Sequence, residues 1–141
     1  MLITRRSDYA LRICRALQDG GRHNVSEICR LEGVPRAFTY KILGEMEQRG
    51  IVRAERGNRG GYSLKMSLDD ITLYDIVSHM EEDIAMMHCM REDCDRNAAD
   101  NPCMVHREIA RIQGVLIREL KRKTVGQILT GQVPENTQDD V

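Results

Sequence analysis

Apolar positions recur along this chain at two spacings, and the alternation between them outlines a fold. From about Arg5 to Leu17, Leu11, Cys14 and Leu17 return every third residue, flanked by Ala10 and Ile13. That is helical spacing, with Thr4 placed to cap the start and Asp19-Gly20-Gly21 to end it. Ser26–Leu31 reads as a short second helix with Val25, Ile28 and Leu31 inward. Gly33-Val34-Pro35 is a turn, since Gly permits the backbone reversal and Pro suits the first turn of a following helix. The third helix is expected from Pro35 to Arg49, with Phe38, Ile42, Leu43 and Met46 inward and Gly50 as its stop. The period then changes. Ile51–Glu55 and Tyr62–Lys65 read as two strands around the Gly-rich turn Arg56-Gly57-Asn58-Arg59-Gly60-Gly61.

A fourth helix is expected over 70–82, with Ile71, Leu73, Ile76, Val77 and Met80 apolar. Periodicity fails over 83–102, a stretch rich in Met, Cys, Asp and Asn. So long an irregular segment inside a compact domain is more often functional than incidental. A long helix follows from about Cys103 to Lys123, where Ile109, Ile112, Leu116 and Leu120 form one stripe. Residues 132–141 are polar and acidic and read as a flexible tail. The fold class expected is mainly α with one small β-hairpin.

The 141 residues are 41% hydrophobic and 30% charged, a globular balance that fits one domain. With no Trp and one Phe, aliphatic side chains and eight Met must fill the core. No apolar run is long enough to span a membrane, and no apolar segment follows Arg5-Arg6 as in a secretory signal. A cytoplasmic protein is expected, with its five Cys reduced rather than paired. The formal net charge of −1 hides a division. Residues 1–65 hold 13 Lys/Arg against 7 Asp/Glu, and residues 66–141 hold 8 against 15. A basic front half beside an acidic rear half suggests a polyanion-binding face joined to something else.

Two short helices joined by a tight turn form the DNA-reading unit of many regulators, the second helix entering the major groove. Its leading polar residues here are Arg36, Thr39, Tyr40 and Lys41. Arg can grip guanine, and Thr or Tyr can bond a phosphate or a base edge. Taken alone, these residues could equally be the wet side of an amphipathic helix. The hairpin decides between the two readings. Arg56 and Arg59 sit among Gly57, Gly60 and Gly61, where small residues let the backbone approach a phosphate and Arg suits a narrow minor groove. Gly60 is accordingly expected at the DNA. A basic hairpin directly behind a helix-turn-helix predicts a winged helix-turn-helix.

The second constellation is Cys89, Cys94 and Cys103, with four and eight residues between them. Three soft thiolates on an irregular loop suit an iron–sulfur cluster, zinc or copper(I). Such a centre usually takes four ligands. His106 follows Cys103 by one helical turn, His88 adjoins Cys89, and Asp8 could come from a partner chain. Cys14 and Cys29 lie on helix faces and read as small core residues.

These residues together resemble the Rrf-type winged helix-turn-helix regulators, the family of IscR and NsrR. The resemblance runs through Ser7–Arg12, Glu27-Ile28, Gly33-Val34-Pro35 to Leu43, Gly50-Ile51-Val52, Arg56–Leu64 and Ile71–Val77. It covers residues 1–130, with a longer second cysteine gap than is familiar there and Asn58-Arg59 where Pro-Gly is common. The resemblance implies a homodimeric, operator-binding transcription factor, a repressor on this reading. The long C-terminal helix would pair between subunits. Cys89, Cys94 and Cys103 would hold a 2Fe-2S or 4Fe-4S cluster, with Asp8 of the other subunit or His106 as fourth ligand. The domain organisation expected is residues 1–82 for DNA binding, 83–103 as the cluster loop, 104–131 as the dimerisation helix plus a short helix, and 132–141 as tail. The signal would be nitric oxide, oxygen, redox state or cluster supply. The alternative is a cluster-free regulator of the same fold that uses a thiol switch or a protein partner. An enzyme is not expected, because no nucleophile-and-base pattern, P-loop or dinucleotide fingerprint is present.

Overall fold

The computed structural model describes residues 3–82, 84–91 and 94–132. The expected tail lies outside these residues except for Gln132.

Helix α1 spans Arg5–Ala16, and the Thr4 hydroxyl caps it by accepting from the Arg6 amide at 3.1 Å. Helix α2, Val25–Glu32, opens with a reciprocal capping box between Asn24 and Glu27. It stops at Gly33, whose φ of 65° is a left-handed conformation that a side chain would resist. Pro35 leads into α3, Arg36–Gln48. Strands β1, Val52–Glu55, and β2, Gly61–Leu64, pair antiparallel from Val52↔Leu64 to Glu55↔Gly61. The hairpin follows directly on the two-helix unit, as a wing requires. Residues Leu68–Asp70 make a 3-10 turn. Helix α4 then runs only over Leu73–Met80, shorter than the 70–82 expected, because the Thr72–Asp75 capping box fixes its start. Helix α5 spans Met104–Arg122, and α6, Val125–Thr130, ends the described chain.

The core joins α1, α2, α3, the hairpin and α4 through Ile13, Leu17, Ile28, Ile42, Leu43, Met46, Val52, Ile76 and Met80, with Val125 of α6 closing it. Two residues expected inside lie outside. Leu31 is exposed because the inward stripe of α2 is Val25, Ile28 and Glu32. Glu32 holds that place by ion-pairing with Arg15 of α1. Phe38 is exposed because the buried stripe of α3 is Thr39, Ile42, Leu43 and Met46, one position further round. Its ring packs edge-on to Tyr9 at 5.6 Å.

Helix α5 packs on α4, where the Lys121 ammonium lies 4.3 Å from the centre of the Tyr74 ring, but much of its surface stays open. A helix of 19 residues is about 28 Å long, yet Leu120 is its one buried residue among those described. Ile112 and Val115 are exposed, and Ile109 and Leu116 are half-buried. No helix of the described residues is long and apolar enough to cross a membrane.

Candidate nucleic-acid interface and thiol cleft

Arg36 is the first residue of α3, and its guanidinium is already oriented. One nitrogen donates to the Ser26 hydroxyl at 2.8 Å, and another donates to the Tyr40 hydroxyl at 3.2 Å. The group also lies 5.6 Å from the centre of the Tyr40 ring, within the range of cation–π attraction. Tyr40 and Lys41 are exposed on the same helix. Thr39, expected beside them at the DNA, is fully buried. Its hydroxyl donates to the Pro35 carbonyl at 3.2 Å and lies 3.3 Å from the Cys29 sulfur. Helical geometry sets Thr39 on the stripe of Ile42, Leu43 and Met46, so it braces α3 against α2 and faces no groove. Ser26 belongs to the constellation that Thr39 leaves. Its place in the first turn after the Asn24–Glu27 cap is the sequence signal that could have found it.

The wing is a close-packed turn. A Cβ on Gly60 would sit 2.7 Å from the Glu55 carbonyl oxygen, and one on Gly61 would sit 2.7 Å from the His23 carbonyl oxygen. Gly57 has φ +116°. These positions therefore demand glycine for the turn itself, and Gly60 shapes the tip from a half-buried position. The α1–α2 connection docks against the hairpin through a single antiparallel bridge between His23 and Tyr62. The His23 amide donates to the Tyr62 carbonyl at 3.0 Å, and the Tyr62 amide returns a bond to His23 at 2.8 Å. Arg56 and Arg59 are exposed and, among the described residues, make no ion pair. Between α3 and the wing lies a hollow of about 360 Å³, walled by Ser26, Arg36, Tyr40, Gly60 and Tyr62.

Behind this unit is a second, larger feature. Cys89 sits in the 3-10 turn His88–Met90, and Cys94 begins a turn closed by the Asn97 amide on its carbonyl at 2.8 Å. Cys89, Cys94 and His106 line one open cleft of about 800 Å³, together with Met90, Asp95 and Asn97. Cys103 is not among the lining residues. It caps α5, and its amide donates to the Asn97 side chain at 3.0 Å. The Nδ1 atom of His106 is buried with no hydrogen-bond partner among the described residues. All five cysteines are free thiols. Among the described residues, no three His, Cys, Asp or Glu side chains converge as they would around a metal ion. Asp8 lies elsewhere on α1, ion-paired with Arg12 at 3.1 Å beside a small hollow formed with Leu11 and Arg15. Cys14 is a core residue as expected. Burial pushes its thiol up to about 12, which keeps it protonated and unreactive. Cys29 is half-buried and packs against the core.

Comparison with known proteins bears on both features. The family model Rrf2, described as an iron-dependent transcriptional regulator, matches residues 3–131. A protein of Aquifex aeolicus (strain VF5), described as an HTH-type transcriptional regulator, is 32% identical over 107 residues, covering 74% of each chain. Protein aau3 of Rhizobium meliloti (strain 1021) is 32% identical over 110 residues, 70% of this chain and 71% of that one. Among solved structures, CymR, the global cysteine regulator of B. subtilis, superposes with a TM-score of 0.74 at 21% identity, covering 93% of this chain and 98% of its own. T. potens IscR superposes with a TM-score of 0.72 at 17% identity, covering 96% and 92%.

Proposed function

The chain belongs to the Rrf2 family of DNA-binding transcriptional regulators, and on that premise we propose that it acts as a homodimeric repressor whose operator grip depends on an iron–sulfur cluster. The observation that carries the cluster reading is the cleft. Two thiols and the His106 imidazole line one open space, the Nδ1 of that imidazole is buried without a partner among the described residues, and a third thiol stands one helical turn before it, outside the lining. A buried unpaired ring nitrogen costs free energy unless something satisfies it. Soft thiolates with an imidazole are a donor set that suits iron–sulfur chemistry. The residues that would hold the group are Cys89, Cys94 and Cys103. His106 is favoured as the fourth by its place in the cleft, against Asp8, which Arg12 already engages. Bound there, the group supplies a redox- and nitric-oxide-sensitive centre.

What the chain's own residues do follows from the geometry. Arg36, Tyr40 and Lys41 present donors at the leading end of α3, and Arg56 and Arg59 extend the basic surface along the wing. Two recognition helices read successive major grooves when their spacing matches one helical turn, ~34–36 Å. A second copy of this chain is the natural cover for the open part of the α5 stripe, where Ile112 and Val115 stay exposed although the helix packs on α4. Ordering of the cysteine segment at the head of α5 would then bear on that spacing. Such an order–disorder change supplies the differential contacts that a switch requires.

A second reading is supported by the likeness to CymR and by the lack of a converged three-ligand set among the described residues. In it, the same loop is a thiol switch without iron. Anaerobic purification with iron and sulfide analysis separates the two. The cluster reading expects a visible absorption band that Cys94→Ala abolishes. A colourless, iron-free protein with unaltered DNA binding refutes it and leaves the thiol switch.

A further inference from the structure

Arg22 lies in the α1–α2 connection, outside both the recognition helix and the wing, yet it grips the wing at two points. Its Nη1 donates to the Arg59 carbonyl at 3.0 Å, and its Nη2 forms an ion pair with the Glu55 carboxylate. Glu55 is in the last paired position of β1, opposite Gly61. Arg59 lies beyond that pair, in the tip. The tip is closed from inside by the Gly60 amide on the Gly57 carbonyl at 2.8 Å. Arg22 closes it from outside, across the base of the turn. The stem of Arg22 runs beside Gly61, whose Cβ would come within 3.2 Å of Arg22 Cγ. The neighbouring His23 pairs with Tyr62 through both backbone bonds. Connection, strand and tip are thus tied at adjacent points.

We propose that Arg22 is a positioning residue for DNA binding, one that fixes the backbone of the wing tip so that Arg59 is presented to the duplex in a set direction. Its own charge is turned inward onto Glu55, whereas Arg59 keeps its charge outward. A hairpin tip rich in glycine has many backbone conformations open to it, and choosing one costs conformational entropy at the moment of binding. A guanidinium that holds the Arg59 carbonyl in the free protein removes part of that cost before DNA arrives. The inference rests on the proposed reading of the wing as a DNA contact, and the experiment keeps the two apart.

The experiment is a double-substitution cycle on the full chain with Arg22→Gln and Arg59→Ala. The probe is a duplex enriched from a random-sequence pool by the wild-type protein, titrated over a range of salt concentrations. Thermal unfolding of each variant sets a temperature at which all are folded. Loss of Arg59 is expected to weaken binding and to lower the salt slope by about 1. Arg22→Gln is expected to weaken binding about three- to tenfold, the range for one lost hydrogen bond. It should have no further effect once Arg59 is Ala. Arg22→Lys, which keeps the charge and one donor, should recover part of the affinity. Additive losses with a further fall in slope would mean that Arg22 touches DNA itself, and would overturn the proposal. So would wild-type affinity in Arg22→Gln. If Arg59→Ala leaves affinity unchanged, the wing reading fails instead, whatever Arg22 does.

Discussion

Glu81 is the residue on which the structure makes its sharpest thermodynamic demand. It follows α4, at the entrance to the cysteine segment, and its carboxylate reaches back to the first turn of α1. It accepts from the Thr4 amide at 3.1 Å, from the Thr4 hydroxyl at 2.9 Å and from the Ser7 hydroxyl at 2.5 Å. Ser7 is fully buried. Replacing Glu81 by Ala therefore strands a buried hydroxyl and removes charge-assisted bonds, and each of those losses is worth about 1–3 kcal/mol. Because Thr4 keeps its cap on Arg6 and can reach water, the total expected is about 2–3 kcal/mol. Glu81→Gln keeps one acceptor oxygen and should cost about 1 kcal/mol. Desolvation alone would raise the Glu81 pKa, but the bonds from Ser7 and Thr4 and the charge of Arg6 outweigh it and hold the carboxyl below its ordinary 4.5. The stabilisation is thus fully present above that unfolded value and is lost as pH falls through the lower folded one. Urea unfolding of cluster-free protein reads both effects. The midpoint should fall in Glu81→Ala with an unchanged m-value. The gap between wild type and Glu81→Gln should hold from pH 8 to about 5 and close on further acidification. An unshifted midpoint in Glu81→Ala, or a gap that persists well below the folded pKa, would refute the assignment of these bonds as stabilising.

Two further outcomes follow from the winged unit. Thr39→Val removes a buried hydroxyl that donates to Pro35. It should cost about 0.5–1.5 kcal/mol of stability and leave DNA affinity and salt slope at wild-type values, which gel-shift titration checks beside urea unfolding. Gly61→Ala forces a Cβ to within 2.7 Å of the His23 carbonyl oxygen. It should break the His23–Tyr62 pairing, destabilise the fold by about 1–3 kcal/mol and expose the Tyr62 amide to rapid hydrogen exchange. A protected Tyr62 amide in that variant would count against the pairing as an anchor of the wing.

The parts of the fold legible in the sequence are those that neighbours in sequence decide. Thr4, the Gly33–Pro35 turn and Gly50 mark helix ends because caps act over one turn of backbone. The wing glycines mark a hairpin because its geometry is closed within ten residues. Thr39 was misplaced by local reasoning of another kind. Position in the first turns of α3 suggests exposure, whereas at about 100° per residue Thr39 falls in line with Ile42, Leu43 and Met46. Leu31 and Glu32 exchanged roles because the Arg15 partner that lets Glu32 turn inward is 17 residues away. Ser7 and Glu81 are 74 residues apart, and no pattern in either segment announces their bond. The cysteine segment has no hydrophobic period at all. Its spacing could nominate ligands but not say that Cys89, Cys94 and His106 would share a cleft while Cys103 capped a helix.

The charge division shows how sequence and structure combine. The excess of positive charge in residues 1–65 says that the front half is basic but not which face carries it. The structure sorts those cations by partner. Arg6 meets Glu45, Arg12 meets Asp8, Arg15 meets Glu32 and Arg22 meets Glu55. The Arg12–Asp8 pair lies within α1, and the other three lock α1 and the α1–α2 connection onto α2, α3 and the hairpin. Partly exposed pairs of this kind add little stability each, but their acids neutralise cations that would otherwise spread the field over the whole unit. Arg36 is held by neutral hydroxyls, so its charge remains uncompensated. Lys41, Arg56 and Arg59 make no ion pair among the described residues and are exposed. Arg5, Arg30, Arg49 and Lys65 are likewise exposed and without an ion pair among the described residues, so the charge left over is spread over several elements, and the leading part of α3 and the wing tip carry the share of it made by Arg36, Lys41, Arg56 and Arg59.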